Sequence, residues 1–110
     1  MGASDPSALA EAMNRLWAQF LPQIEERVAT LEIAAAAADE GALTPDLREQ
    51  AHAAAHKLAG TLGTFGLQDG TELAREAEAL YAVDSPAATS ASARLVQLAA
   101  QLRATLATRK

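Results

Sequence analysis

The stretch Thr44-Pro45-Asp46-Leu47-Arg48-Glu49-Gln50-Ala51-His52-Ala53-Ala54-Ala55-His56-Lys57-Leu58-Ala59-Gly60-Thr61-Leu62-Gly63-Thr64-Phe65-Gly66 contains a helix start, a helix stop and an apolar stripe between them. Thr44 is a good N-cap residue, and the proline after it loses nothing in a first turn whose N–H groups have no intrahelical partner. Leu47, Ala51, Ala54, Leu58 and Leu62 recur at spacings of three and four, the period of a helix. Gly63 and Gly66 bracket Phe65 and mark a turn. The stretch predicts a helix from Pro45 to about Leu62.

The flanking sequence repeats this grammar. Ser4-Asp5-Pro6 is again a cap followed by proline, and Leu9, Met13, Leu16, Trp17 and Phe20 follow at helical spacing. Pro22 lacks the donor that the preceding turn needs, so the helix is expected to break or restart there. Beyond it, Ile24, Val28, Leu31 and Ala35 form a second stripe flanked by Glu25, Glu26, Arg27 and Glu32, with Asp39-Glu40-Gly41 as its stop. On the other side, Leu67, Leu73, Ala77, Leu80 and Tyr81 outline a further helix, and Asp84-Ser85-Pro86 breaks the chain. Leu95, Leu98, Leu102 and Leu106 outline the last helix. Short connections between such helices predict an all-α fold, an antiparallel four-helix bundle with an additional N-terminal helix packed against one end. In that reading Leu9, Leu16, Trp17 and Phe20 cap the core; a dimerisation surface is the alternative.

Composition agrees. Half of the 110 residues are apolar but only 4% are aromatic, so the core must be built largely from alanine and leucine, which favour helix over strand. The length suits one domain over residues 1–110, and the abrupt end at Thr108-Arg109-Lys110 leaves room for this domain being a module of a larger regulator. A net charge of −5 repels a phosphate backbone, which argues against nucleic acid. No apolar run is long enough to span a bilayer, and Met1-Gly2-Ala3-Ser4-Asp5-Pro6 is unlike a signal peptide. A soluble, cytoplasmic protein without a membrane partner is expected. With no cysteine, disulfides and thiol chemistry are excluded.

His56 is the candidate functional residue. At about 100° per residue, the apolar stripe of Leu47, Ala51, Ala54, Leu58 and Leu62 points in one direction and His56 about 160° from it. It should face solvent. Ala53, Ala59, Gly60 and Gly63 lie on that side, so little bulk surrounds the imidazole. Glycine within a helix costs about 0.8–1 kcal/mol relative to alanine. Gly60, one turn after His56, therefore implies either a frayed or tightly crossed helix, or the need for something to approach closely. An accessible neutral imidazole is a nucleophile at physiological pH. Lys57 beside it could neutralise an added phosphoryl group, or be an ordinary solvated lysine.

The run His56-Lys57-Leu58-Ala59-Gly60-Thr61-Leu62-Gly63-Thr64-Phe65-Gly66-Leu67 resembles the signature of histidine-containing phosphotransfer (HPt) domains of two-component phosphorelays. His56, Leu58, Gly60, Thr61 and Gly66 fill its positions, with Gly66 at the structural turn. Many members place lysine three residues after the histidine, where this chain has Ala59, so the phosphoryl-stabilising role falls to Lys57. The resemblance implies that His56 receives a phosphoryl group from a receiver domain's aspartate, or from a histidine kinase, and passes it to another receiver. It implies a carrier, not an enzyme, needing no cofactor of its own because the receiver supplies Mg²⁺ and the acidic pocket. His52, Ala53, Ala59, Gly60 and Gly63 would form the docking surface of a monomer.

Other readings compete. His52 and His56 at i and i+4 could share a metal ion, with Glu49 as a third ligand, but the H-E-x-x-H arrangement is absent and no metal is expected. A helical module that docks partners without transferring phosphate is the other alternative. Gly60, Gly63 and Gly66 fall at every third position, unlike the dinucleotide fingerprint, so no nucleotide site is expected.

Overall fold

A computed structural model of the chain describes residues 6–83 and 90–109. They form four helices, α1 (Pro6–Asp39), α2 (Pro45–Thr64), α3 (Gln68–Leu80) and α4 (Ser92–Thr108), with no strand among the described residues. Each packs chiefly on two others, α1 on α2 and α4, and α3 on α2 and α4, closing a four-membered ring. The expected cap at Ser4-Asp5 and break at Asp84-Ser85-Pro86 lie outside the described residues.

The separate N-terminal helix is corrected. It is the first part of one 34-residue α1 that runs through Pro22. Counted at about 100° per residue, Leu21, Ile24, Val28, Leu31 and Ala35 all lie within about 40° of Trp17, so the apolar stripe stays in phase across the proline. Pro22 forfeits the hydrogen bond to the Ala18 carbonyl. Both residues are exposed, so water can satisfy that carbonyl. At about 1.5 Å per residue α1 is some 50 Å long, against about 30 Å for α2, and it accounts for the molecule's 57 Å long axis. Trp17 is buried and meets Phe65 edge-on at 5.2 Å, Phe20 meets Phe65 at 6.2 Å, and the Arg109 guanidinium lies 4.6 Å from the Trp17 ring. Of the four residues expected to cap the core, Trp17 alone is buried; Phe20 reaches the Phe65 ring but stays exposed, as do Leu9 and Leu16.

Alanine lets the helices approach closely. Ala34, Ala35 and Ala38 from α1 join Ala51, Ala55 and Leu58 from α2, Ala74 and Ala77 from α3, and Leu95, Leu98 and Leu102 from α4 in one core. Tyr81 closes that core after α3. Its backbone carbonyl accepts from the Arg48 guanidinium at 2.6 Å, but its buried hydroxyl has no partner among the described residues. Burial pushes that hydroxyl's pKa up to about 12.

Both tight turns end the same way. At Gly41 and Gly66 the backbone enters the left-handed region, with φ of 70° and 73°. The following N–H groups reach back, Ala42 to the Ala37 carbonyl at 2.8 Å and Leu67 to the Leu62 carbonyl at 2.9 Å. This is the Schellman arrangement, in which glycine avoids the steric penalty of a Cβ.

Candidate functional site

The site is built on the α2–α3 hairpin. Thr44 caps α2 through its Oγ1, which accepts from the Leu47 N–H at 3.1 Å, with Pro45 in the first turn. The Gly66 turn then sends α3 back antiparallel. Two contacts fix the register: Thr71 Oγ1 donates to the Ala59 carbonyl at 3.3 Å, and further along the pair His56 lies across from Glu78.

His56 points outward as its phase predicted, with 72% of its side chain exposed. Its Nδ1 lies 2.8 Å from Glu78 Oε2, and the Glu78 side chain is 27% exposed. An ionised carboxylate only accepts, so the shared proton belongs on Nδ1 and the Nε2 lone pair is left for chemistry. The carboxylate also restrains the ring, much as a carboxylate behind a catalytic or metal-binding histidine selects its tautomer. Glu78 is the residue against His56 that sequence reasoning missed. The available signal was positional: a tight turn at Gly66 folds the chain back so that His56 meets a residue about equally far beyond the turn.

Gly60 and Gly63 are exposed, and α2 remains helical through both. A Cβ added at Gly60 would meet nothing within 4 Å, and one at Gly63 would make only ordinary contact with Thr71 Oγ1 at 3.5 Å. Fraying and tight internal crossing are thus removed as explanations for Gly60. Ala53 is exposed as expected, and His52 is half-buried one turn before His56.

Ala59 is a correction. Expected on the open surface, it is 6% exposed and belongs to the core. The reason is that α2 packs against α1 on one side and α3 on the other, so its buried arc is wider than its leucine stripe and extends from Ala54 through Ala55 to Ala59.

Lys57 follows His56 in sequence but lies about 100° further round the helix. It lines a groove between α1 and α2 with Gln23, Glu26, Arg27 and Gln50. Arg75, on α3, lines the opposite margin with Gly63, Gly66, Gln68 and Thr71. Among the described residues no three His, Asp or Glu side chains gather as a metal site, and no helix is long and apolar enough to cross a membrane.

Comparison with known proteins adds an independent line. Residues 15–108 match the Hpt domain family. Protein RcaC from Microchaete diplosiphon is 38% identical over 66 residues, which are 60% of this chain and 10% of that protein. The match thus spans about a tenth of RcaC's own length. No solved structure gives a significant match.

Proposed function

Because the chain belongs to the Hpt domain family, whose members carry phosphoryl groups on histidine in two-component signalling, we propose that Nε2 of His56 is the atom that carries the phosphoryl group here. The donor is a phospho-aspartate on a receiver domain, or a histidine kinase, and the acceptor is another receiver's aspartate. In the first case the Nε2 lone pair forms the N–P bond while the P–O bond to the donor aspartate breaks, and the electron pair leaves with the carboxylate. Nδ1 keeps its proton throughout, and the ring's developing positive charge faces Glu78. The observation that carries this reading is the exposed imidazole tethered through Nδ1 alone.

The surroundings suit a carrier. His52, Ala53, Gly60 and Gly63 offer a low surface against which a receiver's active site can close. Lys57 adds positive charge at the rim toward α1. One copy of the chain suffices, because the aspartate, its acidic pocket and Mg²⁺ arrive with the receiver. The net charge of −5 favours a protein partner over nucleic acid.

The test uses a receiver domain carrying radiolabelled phospho-aspartate. The chain should gain acid-labile, base-stable label, His56→Gln should lose it and His52→Gln should keep it. Label on His56→Gln equal to that on the wild type overturns the assignment.

A further inference from the structure

We propose that Arg75, reaching across from α3, is the cation that pairs with the phosphoryl oxygens on His56. This rests on His56 being the phosphorylated residue. The need comes from charge. A phosphoryl group at neutral pH adds about 1.5 to 2 negative charges, here to a chain of net charge −5 and beside the Glu78 carboxylate. Where the resemblance expects lysine, three residues after the histidine, this chain has Ala59, which is buried and neutral.

Four other arginines are committed. Arg48 donates to the Tyr81 carbonyl at 2.6 Å, Arg94 holds Glu76 at 2.6 Å, Arg103 holds Glu32 at 2.7 Å, and Arg27 donates to Thr61 Oγ1 at 3.4 Å. Arg75 is exposed and makes no hydrogen bond or ion pair among the described residues.

The hairpin register places it. Thr71 lies across from Ala59 and Gly63, and Glu78 lies across from His56. Arg75, midway between Thr71 and Glu78 and on the same face of α3, therefore lies across from the turn that contains Gly60. It stands about 4.5 Å along the helix axis from Glu78. Gly60 and Gly63 raise no side chain between Arg75 and the imidazole, so a flexible guanidinium can swing to the Nε2 side, opposite the Glu78 tether. A planar guanidinium can bond two phosphoryl oxygens at once, which the lysine ammonium does as a point charge. Lys57 faces the α1 groove instead. During transfer Arg75 stays protonated; it stabilises the dianion and exchanges no proton.

The experiment follows phosphorylation of the full chain with phosphoramidate, a small donor that needs no docking surface, and with a phosphorylated receiver. In the forward reaction with phosphoramidate the N–P bond to Nε2 replaces the donor's N–P bond and ammonia leaves. Arg75→Ala should still be labelled at His56, with the initial rate from both donors lowered about tenfold and Arg75→Lys recovering part of the loss. Lys57→Ala should show the smaller loss of the two, because Lys57 stands at the rim toward α1. Absence of label at His56 in the wild type would defeat the phosphocarrier reading itself. With wild-type labelling intact, the Arg75 assignment is overturned if Arg75→Ala matches wild type with phosphoramidate, even if it slows with the receiver, or if Lys57→Ala shows the larger loss. Circular dichroism and Tm should not change, because Arg75 holds nothing in the fold.

Discussion

On the α1–α4 side of the bundle the polar groups answer one another. Arg103 grips Glu32 through two nitrogens, Ser92 donates to Asp39, and Arg109 lies over the Trp17 ring. On the α2–α3 side, His56 is held by one nitrogen only, Arg75 has no ion-pair partner among the described residues, and two helical glycines leave the surface bare. Both sides are wet. The difference teaches where the chain has left interactions for another molecule to complete, and no internal requirement explains the open side.

Filling the bare lane breaks the comparison most severely. Gly60→Glu should lower phosphotransfer from a receiver at least about 100-fold, the scale of a badly misplaced reacting group, while far-ultraviolet circular dichroism remains helical. Gly60→Ala separates function from folding more sharply. It should raise stability by about 0.8–1 kcal/mol in denaturant unfolding, because the site is helical and open, and yet slow transfer. Gly66→Ala should do the reverse to the fold, costing about 1–2 kcal/mol because its φ is positive. If Gly60→Ala is destabilising, the glycine has a structural role after all.

The buried side has its own weak point at Tyr81. Its folded-state pKa is raised by burial to about 12, so the unfolded chain gives up this proton first as pH rises. Stability should hold below about pH 10 and then fall, by on the order of 2 kcal/mol, as pH approaches 12. Tyr81→Phe should remove that decline and cost little at pH 7, since the lost hydroxyl has no partner among the described residues. Urea unfolding at pH 7 and pH 11 checks both.

Loosening the tether should matter less than blocking the lane. Glu78→Gln keeps an acceptor but removes the charge facing the developing imidazolium, and should slow transfer about tenfold. Unchanged transfer would reduce Glu78 to a surface contact. Where α4 pairs with α1 and with α3, Glu32 and Glu76 have carboxyl pKa values lowered chiefly by hydrogen bonds from Arg103 and Arg94. A lowered folded-state pKa gives stability that is present above the usual carboxylate range and lost as pH falls through it. Both pairs are substantially exposed, so Glu32→Gln or Glu76→Gln should cost no more than about 1 kcal/mol at pH 7 and less in high salt.

Much of this was legible in the sequence because periodicity reports burial. The stripes through Leu47–Leu62 and Leu95–Leu106 became α2 and α4, and Thr44, Gly41 and Gly66 marked real ends. Pro22 misled because a local rule was weighed before the phase of the whole stripe, which runs unbroken from Trp17 to Ala35. Ala59 misled because alanine reports no preference between core and surface, so the width of α2's buried arc depended on its neighbours. His56 was legible from its phase and the glycine after it. Glu78 was not, because a contact between helices depends on turn geometry and register, which no single-helix pattern contains.

The central claim is that His56 carries the phosphoryl group on Nε2 while Glu78 holds Nδ1–H. The most direct measurement is nitrogen–phosphorus coupling by NMR on chain labelled with ¹⁵N-histidine and phosphorylated by a receiver. Phosphorus coupled to Nε2 of His56, with a proton remaining on Nδ1, is the predicted result; phosphorus on Nδ1, on His52, or still present in His56→Gln contradicts the account.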